Sequence, residues 1–169
     1  MRPFITRFAS VLFAMLSVTS PASADEDYIV PSLGWAGIGD QEDEEAQVGL
    51  EYRLAPIYYI RPVAGVTINT DDTSSYGYIG LNADIPIVSR KIYFIPSFNA
   101  GVYGKGDGKD LGGTYEFRSG IEIAYQMEDE DRIGIQLNHT GNMGIYRHNP
   151  GTETLLINYA LPSKKLFGN

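Results

Sequence analysis

The chain has 169 residues, 43% of them hydrophobic and 12% aromatic, with 13 Lys+Arg against 21 Asp+Glu and no cysteine. A net charge of −8 speaks against nucleic acid as a partner, which calls for a basic face. Without cysteine there is no disulfide framework, thiolate zinc site or Cys nucleophile, and the only histidines, His139 and His148, are too few for a multi-His metal site.

The first segment reads as an export leader. Arg2 and Arg7 form a positive n-region, residues 11–18 lie at the heart of a short apolar run, and Pro21-Ala22-Ser23-Ala24 supplies small residues for cleavage before Asp25. The expected division is a signal peptide over 1–24 and one domain over 25–169. Loss of the leader removes two positive charges and takes the mature chain to about −10.

From residue 25 onward the pattern predicts eight strands: Ile29–Ile38, Ala46–Leu54, Tyr58–Asn69, Tyr76–Ile87, Lys91–Tyr103, Thr114–Met127, Arg132–Ile145 and Glu153–Leu161. Successive side chains of a strand point to opposite faces, so alternation carries the assignment. The second strand sets Val48, Leu50, Tyr52 and Leu54 against Gln47, Gly49, Glu51 and Arg53. The sixth sets Phe117, Ser119, Ile121 and Ile123 against Glu116, Arg118, Gly120 and Glu122. In the seventh, Ile135, Leu137, His139, Gly141 and Met143 oppose Gln136, Asn138, Thr140 and Asn142.

One face therefore gathers Glu51, Arg53, Arg61, Asp84, Glu116, Arg118 and Glu122, both signs together. Turned outward, these charges would leave a soluble barrel packed with Phe, Tyr and Ile. Turned inward, they make the polar plug of a small membrane barrel with lipid outside. The expected connections Gly39–Glu45, Thr70–Ser75, Gly104–Gly113 and Tyr146–Thr152 are longer than Ala55–Ile57, Val88–Arg90 and Glu128–Asp131. Long extracellular loops and short periplasmic turns follow that asymmetry. The expected fold is thus all-β, an eight-stranded antiparallel transmembrane β-barrel with a polar interior. Its expected place is the outer membrane of a Gram-negative bacterium.

Among the outward positions of the sixth and seventh strands, Ser119, His139 and Gly141 break the apolar pattern. A lipid-facing histidine is either an interfacial side chain near the headgroups or a general base working on a lipid. Residues 138–154 read Asn-His-Thr-Gly-Asn-Met-Gly-Ile-Tyr-Arg-His-Asn-Pro-Gly-Thr-Glu-Thr. With Phe117-Arg118-Ser119-Gly120-Ile121-Glu122 upstream, this string resembles the lipid A 3-O-deacylase (acyloxyacyl hydrolase) family of outer-membrane barrels. That family carries a His-x-Ser-Asn segment, an Asn-Pro-Gly turn and a Glu.

The resemblance implies a Ser-His-Glu triad removing an ester-linked acyl chain from lipid A, without cofactor or metal. By position His139 is the base, Glu153 its orienter and Asn142 the oxyanion donor. The nucleophile position is Gly141, which has no hydroxyl. Thr140 is adjacent but points to the other face. Ser119 falls directly across from His139 if the sixth and seventh strands form a hairpin centred on Asp129. A water activated by His139 is a further route. Against all three stands a weak or inactive descendant that binds lipid A, or a non-catalytic lipopolysaccharide-binding or structural barrel.

Whether Glu153 reaches His139 depends on a hairpin register that the Asn149-Pro150-Gly151 turn leaves open. The acidic run Glu42-Asp43-Glu44-Glu45 reads as a solvated loop. The expected partners are lipid A or lipopolysaccharide of the outer leaflet and the outer membrane itself, with the protein a monomer or weak dimer.

Overall fold

A computed structural model describes residues 26–39 and 44–168; the leader and residues 40–43, hence Glu42 and Asp43, lie outside the described residues. Strands β1 (Tyr28–Ala36), β2 (Glu45–Arg53), β3 (Ile60–Asn69), β4 (Ser75–Ala83), β5 (Ile85–Val88), β6 (Ile92–Gly104), β7 (Tyr115–Gln126), β8 (Arg132–Gly141) and β9 (Thr152–Pro162) are followed by a short helix α1 (Ser163–Phe167). Each pairs antiparallel with its neighbour, and β1 pairs with β9, so the sheet closes on itself.

The predicted fourth strand is divided. Both β4 and β5 pair with β6, and Asn82↔Ser97 and Ile85↔Phe94 continue one register across the break. At the break the Asp84 amide leaves the ladder to donate to the Tyr59 carbonyl at 2.8 Å, and its side chain turns into the lumen. With β4 and β5 counted as one strand, the barrel has eight. No helix among the described residues is long and apolar enough to cross a membrane; the crossing is made by strands.

Three boundaries differ from expectation by two residues or more; β1 stops at Ala36 instead of Ile38, ahead of Gly37 at φ 74°. The strand β8 stops at Gly141 instead of Ile145, because Met143 and Gly144 take positive φ (53° and 81°) and the Ile145 amide folds back onto the Asn142 carbonyl. The strand β3 begins at Ile60, after a tight turn with Tyr58 at φ 61° and an Ile57↔Ile60 bridge. The connection 54–59 is therefore no shorter than 70–74, and the loop-length asymmetry is carried by 37–44, 105–114 and 142–151.

The faces fall as the alternation predicts. Leu33, Trp35, Leu50, Ile79, Phe98, Ile121, Ile135 and Ile157 are exposed on the outside, whereas Glu51, Arg53, Arg61, Asp84, Glu116, Arg118, Glu122 and Arg132 are buried inside. The interior charges are mostly paired. Arg53 meets Glu122 at 2.8 Å and also Glu51; Arg61 and Arg132 share Asp84 at 3.2 and 2.6 Å. Arg132 also stacks on Tyr93 and Tyr28, and Arg61 on Tyr28.

Asp84 is thus the joint acceptor of two buried guanidinium groups. Removing one partner of a buried ion pair costs about 3–5 kcal/mol, because the remaining charge stays buried alone. Asp84→Asn is expected to lower the unfolding free energy of the detergent-solubilised barrel by about that amount in a urea titration. A closed membrane barrel also predicts that unheated and boiled samples migrate differently on a gel; identical mobility would instead favour the soluble barrel.

Candidate active site

The β7–β8 register places Ser119 directly opposite His139, and the β8–β9 register places Glu153 directly opposite it on the other side. Three adjacent strands therefore carry Ser119, His139 and Glu153 in one outward row. The His139 and Glu153 side chains are 57% and 53% exposed, so the pair stands on the wall that faces lipid. An open groove there is lined by Ser119, Ile121, Leu137, His139 and Glu153.

His139 Nδ1 and Glu153 Oε1 lie 2.9 Å apart. A carboxylate only accepts, so Nδ1 carries a proton, and in the neutral ring Nε2 keeps its lone pair. That free nitrogen faces the backbone beyond the end of β8. A Cβ built on Gly141 would stand 3.4 Å from His139 Nε2 and 3.1 Å from Asn149 Oδ1. A side chain at position 141 would thus begin beside His139 Nε2.

Glycine is required at two nearby positions for different reasons. Gly151 sits at φ 68°, and a Cβ there would lie 2.8 Å from His139 Cε1, so only glycine lets the imidazole lie against this turn. Gly112 sits at φ 101°, with the His148 carbonyl oxygen 1.8 Å from where its Cβ would be. Gly141 has neither a positive φ nor a backbone obstruction.

The other candidates separate clearly. Thr140 is buried in the lumen, where its Oγ1 accepts from Arg118 Nε at 3.0 Å. Ser119 shares the outward row, but among the described residues its hydroxyl makes no hydrogen bond to His139, whose nitrogens face Glu153 and Gly141. Asn142 is fully buried: its Nδ2 donates to the carbonyls of Leu111 (3.0 Å) and His148 (2.7 Å), and its Oδ1 accepts the Gly144 amide. Its side chain ties the 105–114 loop to the 142–151 loop and is not brought to the groove. Tyr146, packed against Gly113, closes the same seam.

Asn149 is the residue that the sequence pattern marks only as part of a turn. Its Oδ1 accepts the Asn142 amide at 3.0 Å, which holds the carboxamide over Gly141, and its Nδ2 makes no hydrogen bond among the described residues. Its signal in the sequence is the Asn149-Pro150-Gly151 triplet, where Gly151 admits the ring and Asn149 sits two residues before it. No group of three or more potential metal-ligating side chains occurs among the described residues.

A closed antiparallel barrel with an apolar outer wall, a charged lumen and a His–Glu pair at its long-loop end defines an outer-membrane-type β-barrel. The family model described as "Lipid A 3-O-deacylase (PagL)" matches residues 49–162, and the chain belongs to that family. Its structure is similar to the crystal structure of the outer membrane enzyme PagL, with 17% identity, a TM-score of 0.62, and coverage of 80% of this chain and 99% of that one. It is also similar to a de novo designed transmembrane β-barrel at 13% identity and TM-score 0.53, over 84% of this chain and 98% of that one. At these identities the structural likeness shows the fold. No curated protein matches the chain by sequence.

The backbone at 141 therefore accepts a side chain. Gly141→Ser is expected to fold with stability changed by about 1 kcal/mol or less, since only the Asn149 carboxamide has to shift. A crystal structure of the variant should place the introduced hydroxyl within hydrogen-bond distance of His139 Nε2; a hydroxyl turned away would disprove the positional reading.

Proposed function

We propose that the protein is an outer-membrane carboxylic-ester hydrolase acting on an acyl chain of lipid A, with His139 and Glu153 activating a water in place of the absent serine. The single observation carrying this reading is the His139–Glu153 hydrogen bond on a lipid-facing row. A polar pair on that wall is costly where an apolar pair would be favourable, and the barrel closes equally well without it. Chemistry on a lipid is a sufficient reason to keep it.

In this scheme His139 Nε2 takes a proton from water as the water oxygen bonds to the ester carbonyl carbon. Glu153 holds the ring by Nδ1–H and stabilises the imidazolium. The tetrahedral oxyanion is met by Asn149 Nδ2, which makes no hydrogen bond among the described residues. Collapse breaks the bond to the sugar oxygen, His139 returns the proton to it, and a free fatty acid leaves. The 3-O position on the sugar follows from family membership. The reading includes removal of residues 1–24 on export, action from the outer leaflet, and a monomer or weak dimer.

Without a side-chain nucleophile such a site retains catalysis of about 10³–10⁴ over water. Mass spectrometry of lipid A from membranes containing the protein should show loss of one acyl chain against an empty-vector control, abolished by His139→Ala. Gly141→Ser should raise the rate by at least about 100-fold. Unchanged lipid A with the native chain folded and inserted overturns the water mechanism. Activity appearing only with Gly141→Ser would then support the second reading, a lipid A-binding barrel, which the bare Gly141 position favours.

A further inference from the structure

Buried cations in proteins are paired with anions or heavily hydrogen-bonded, and a buried cation without an anion calls for one. Three luminal arginines, Arg53, Arg61 and Arg132, meet that requirement, each with a carboxylate within 3.2 Å. Arg118 does not. It is 5% exposed, and none of its nitrogens lies within 4.0 Å of a carboxylate oxygen among the described residues.

Its hydrogen-bond partners are neutral hydroxyls. Nε donates to Thr140 Oγ1 at 3.0 Å and Nη2 to Thr67 Oγ1 at 3.2 Å. Of the five guanidinium N–H groups, three then remain, and the two threonine hydroxyls still have their own protons to place. The rings of Tyr76 and Tyr78, with centroids 4.5 and 5.4 Å from Arg118 Cζ, attract the charge but accept no conventional hydrogen bond.

The guanidinium faces a cavity of about 30 Å³ at the long-loop end of the lumen, room for about two water-sized guests. Thr154, 1% exposed, also lines it, and its Oγ1 has no partner among the described residues. Gln47 Oε1, a buried acceptor without a partner among the described residues, lies on the same wall and is suited to a companion water. Two acids also line the cavity, each with one oxygen engaged by the loops: Glu45 Oε2 accepts the Asp72 amide and Asp72 Oδ1 accepts the Ser74 amide. Glu116, a buried carboxylate without a partner among the described residues, does not line the cavity.

We propose that this luminal cavity is a binding site for a small monovalent anion of the halide class, held by Arg118 and the Thr154 hydroxyl. The buried guanidinium, the partnerless Thr154 hydroxyl and the cavity size agree on one occupant, an ion no larger than a chloride or bromide with a water beside it. The site backs directly onto the catalytic row, because Thr140 and Thr154 neighbour His139 and Glu153 in the chain and face inward where those face lipid. The inference is independent of whether the outer face hydrolyses anything.

Crystals of the full barrel grown with bromide in place of chloride, measured at the bromine absorption edge, test it directly. An anomalous peak in contact with the Arg118 guanidinium and Thr154 Oγ1 is expected; a map without one there overturns the proposal. In solution, the melting temperature should rise with chloride or bromide against gluconate at fixed ionic strength, since gluconate exceeds the cavity. Thr154→Val, near-isosteric and expected to fold, should weaken the apparent halide affinity about tenfold, the effect of one lost hydrogen bond. Arg118→Met should abolish the dependence. A halide response unchanged in both variants overturns the site as firmly as an empty map.

Discussion

Lipid offers no hydrogen bonds to a backbone, and this constraint organises everything else in the chain. Each strand must satisfy its amides and carbonyls on both sides, so the sheet has no tolerable edge and closes by pairing β1 with β9. Closure fixes a wall one strand thick, in which each residue faces either lipid or lumen. The period of two in the sequence is the direct consequence, and a one-residue slip in any ladder would expose that strand's lumen residues to hydrocarbon.

The interior then has to hold every group the wall cannot. Arginine is suited to that role, since its planar fork meets carboxylates and stacks on aromatic faces at once. Arg132 uses both modes, contacting Asp84 while its Cζ lies 4.1 Å from the Tyr93 ring centroid. Arg118 keeps the aromatic mode and lacks the carboxylate, which is why the same packing logic that explains three arginines points to an external anion for the fourth. On the outer wall the exception runs the other way. His139 and Glu153 are polar where apolar residues are favoured, and their mutual hydrogen bond offsets part of that penalty.

Much of this was legible from the residues alone. Alternation in β7 and β8 was enough to send Arg118 and Thr140 inward and His139 outward, because no helix-period signal competed. The hairpin between those strands is short, so counting from Asp129 sufficed to set Ser119 opposite His139. The longer loop between β8 and β9 defeated the same counting. Its Asn149-Pro150-Gly151 triplet resembles a hairpin tip, yet the register is centred near Tyr146 and the triplet serves to seat the imidazole. The early end of β8 was equally hidden, because positive φ at Met143 is a property of the loop packing and not of methionine. The inward clamp of Asn142 on Leu111 and His148 joins two loops far apart in sequence, a contact that no local pattern encodes.

Gly141 gains its meaning by contrast with its neighbours. Glycine is forced at 112 and 151 by positive φ and by atoms that would collide with a Cβ, so those positions are read from conformation. At 141 the backbone is ordinary, the nearest heavy atoms are two side-chain termini, and one of them is the basic nitrogen of His139. The fold does not require glycine there. On the proposed reading, the scaffold holds His139, Glu153 and the glycine that seats the ring in place, and orientation is the demanding part of a catalytic site. Position 141 is geometrically able to hold a hydroxymethyl group beside that ring. The lipid-facing pair, more than the glycine, therefore determines how the site is read.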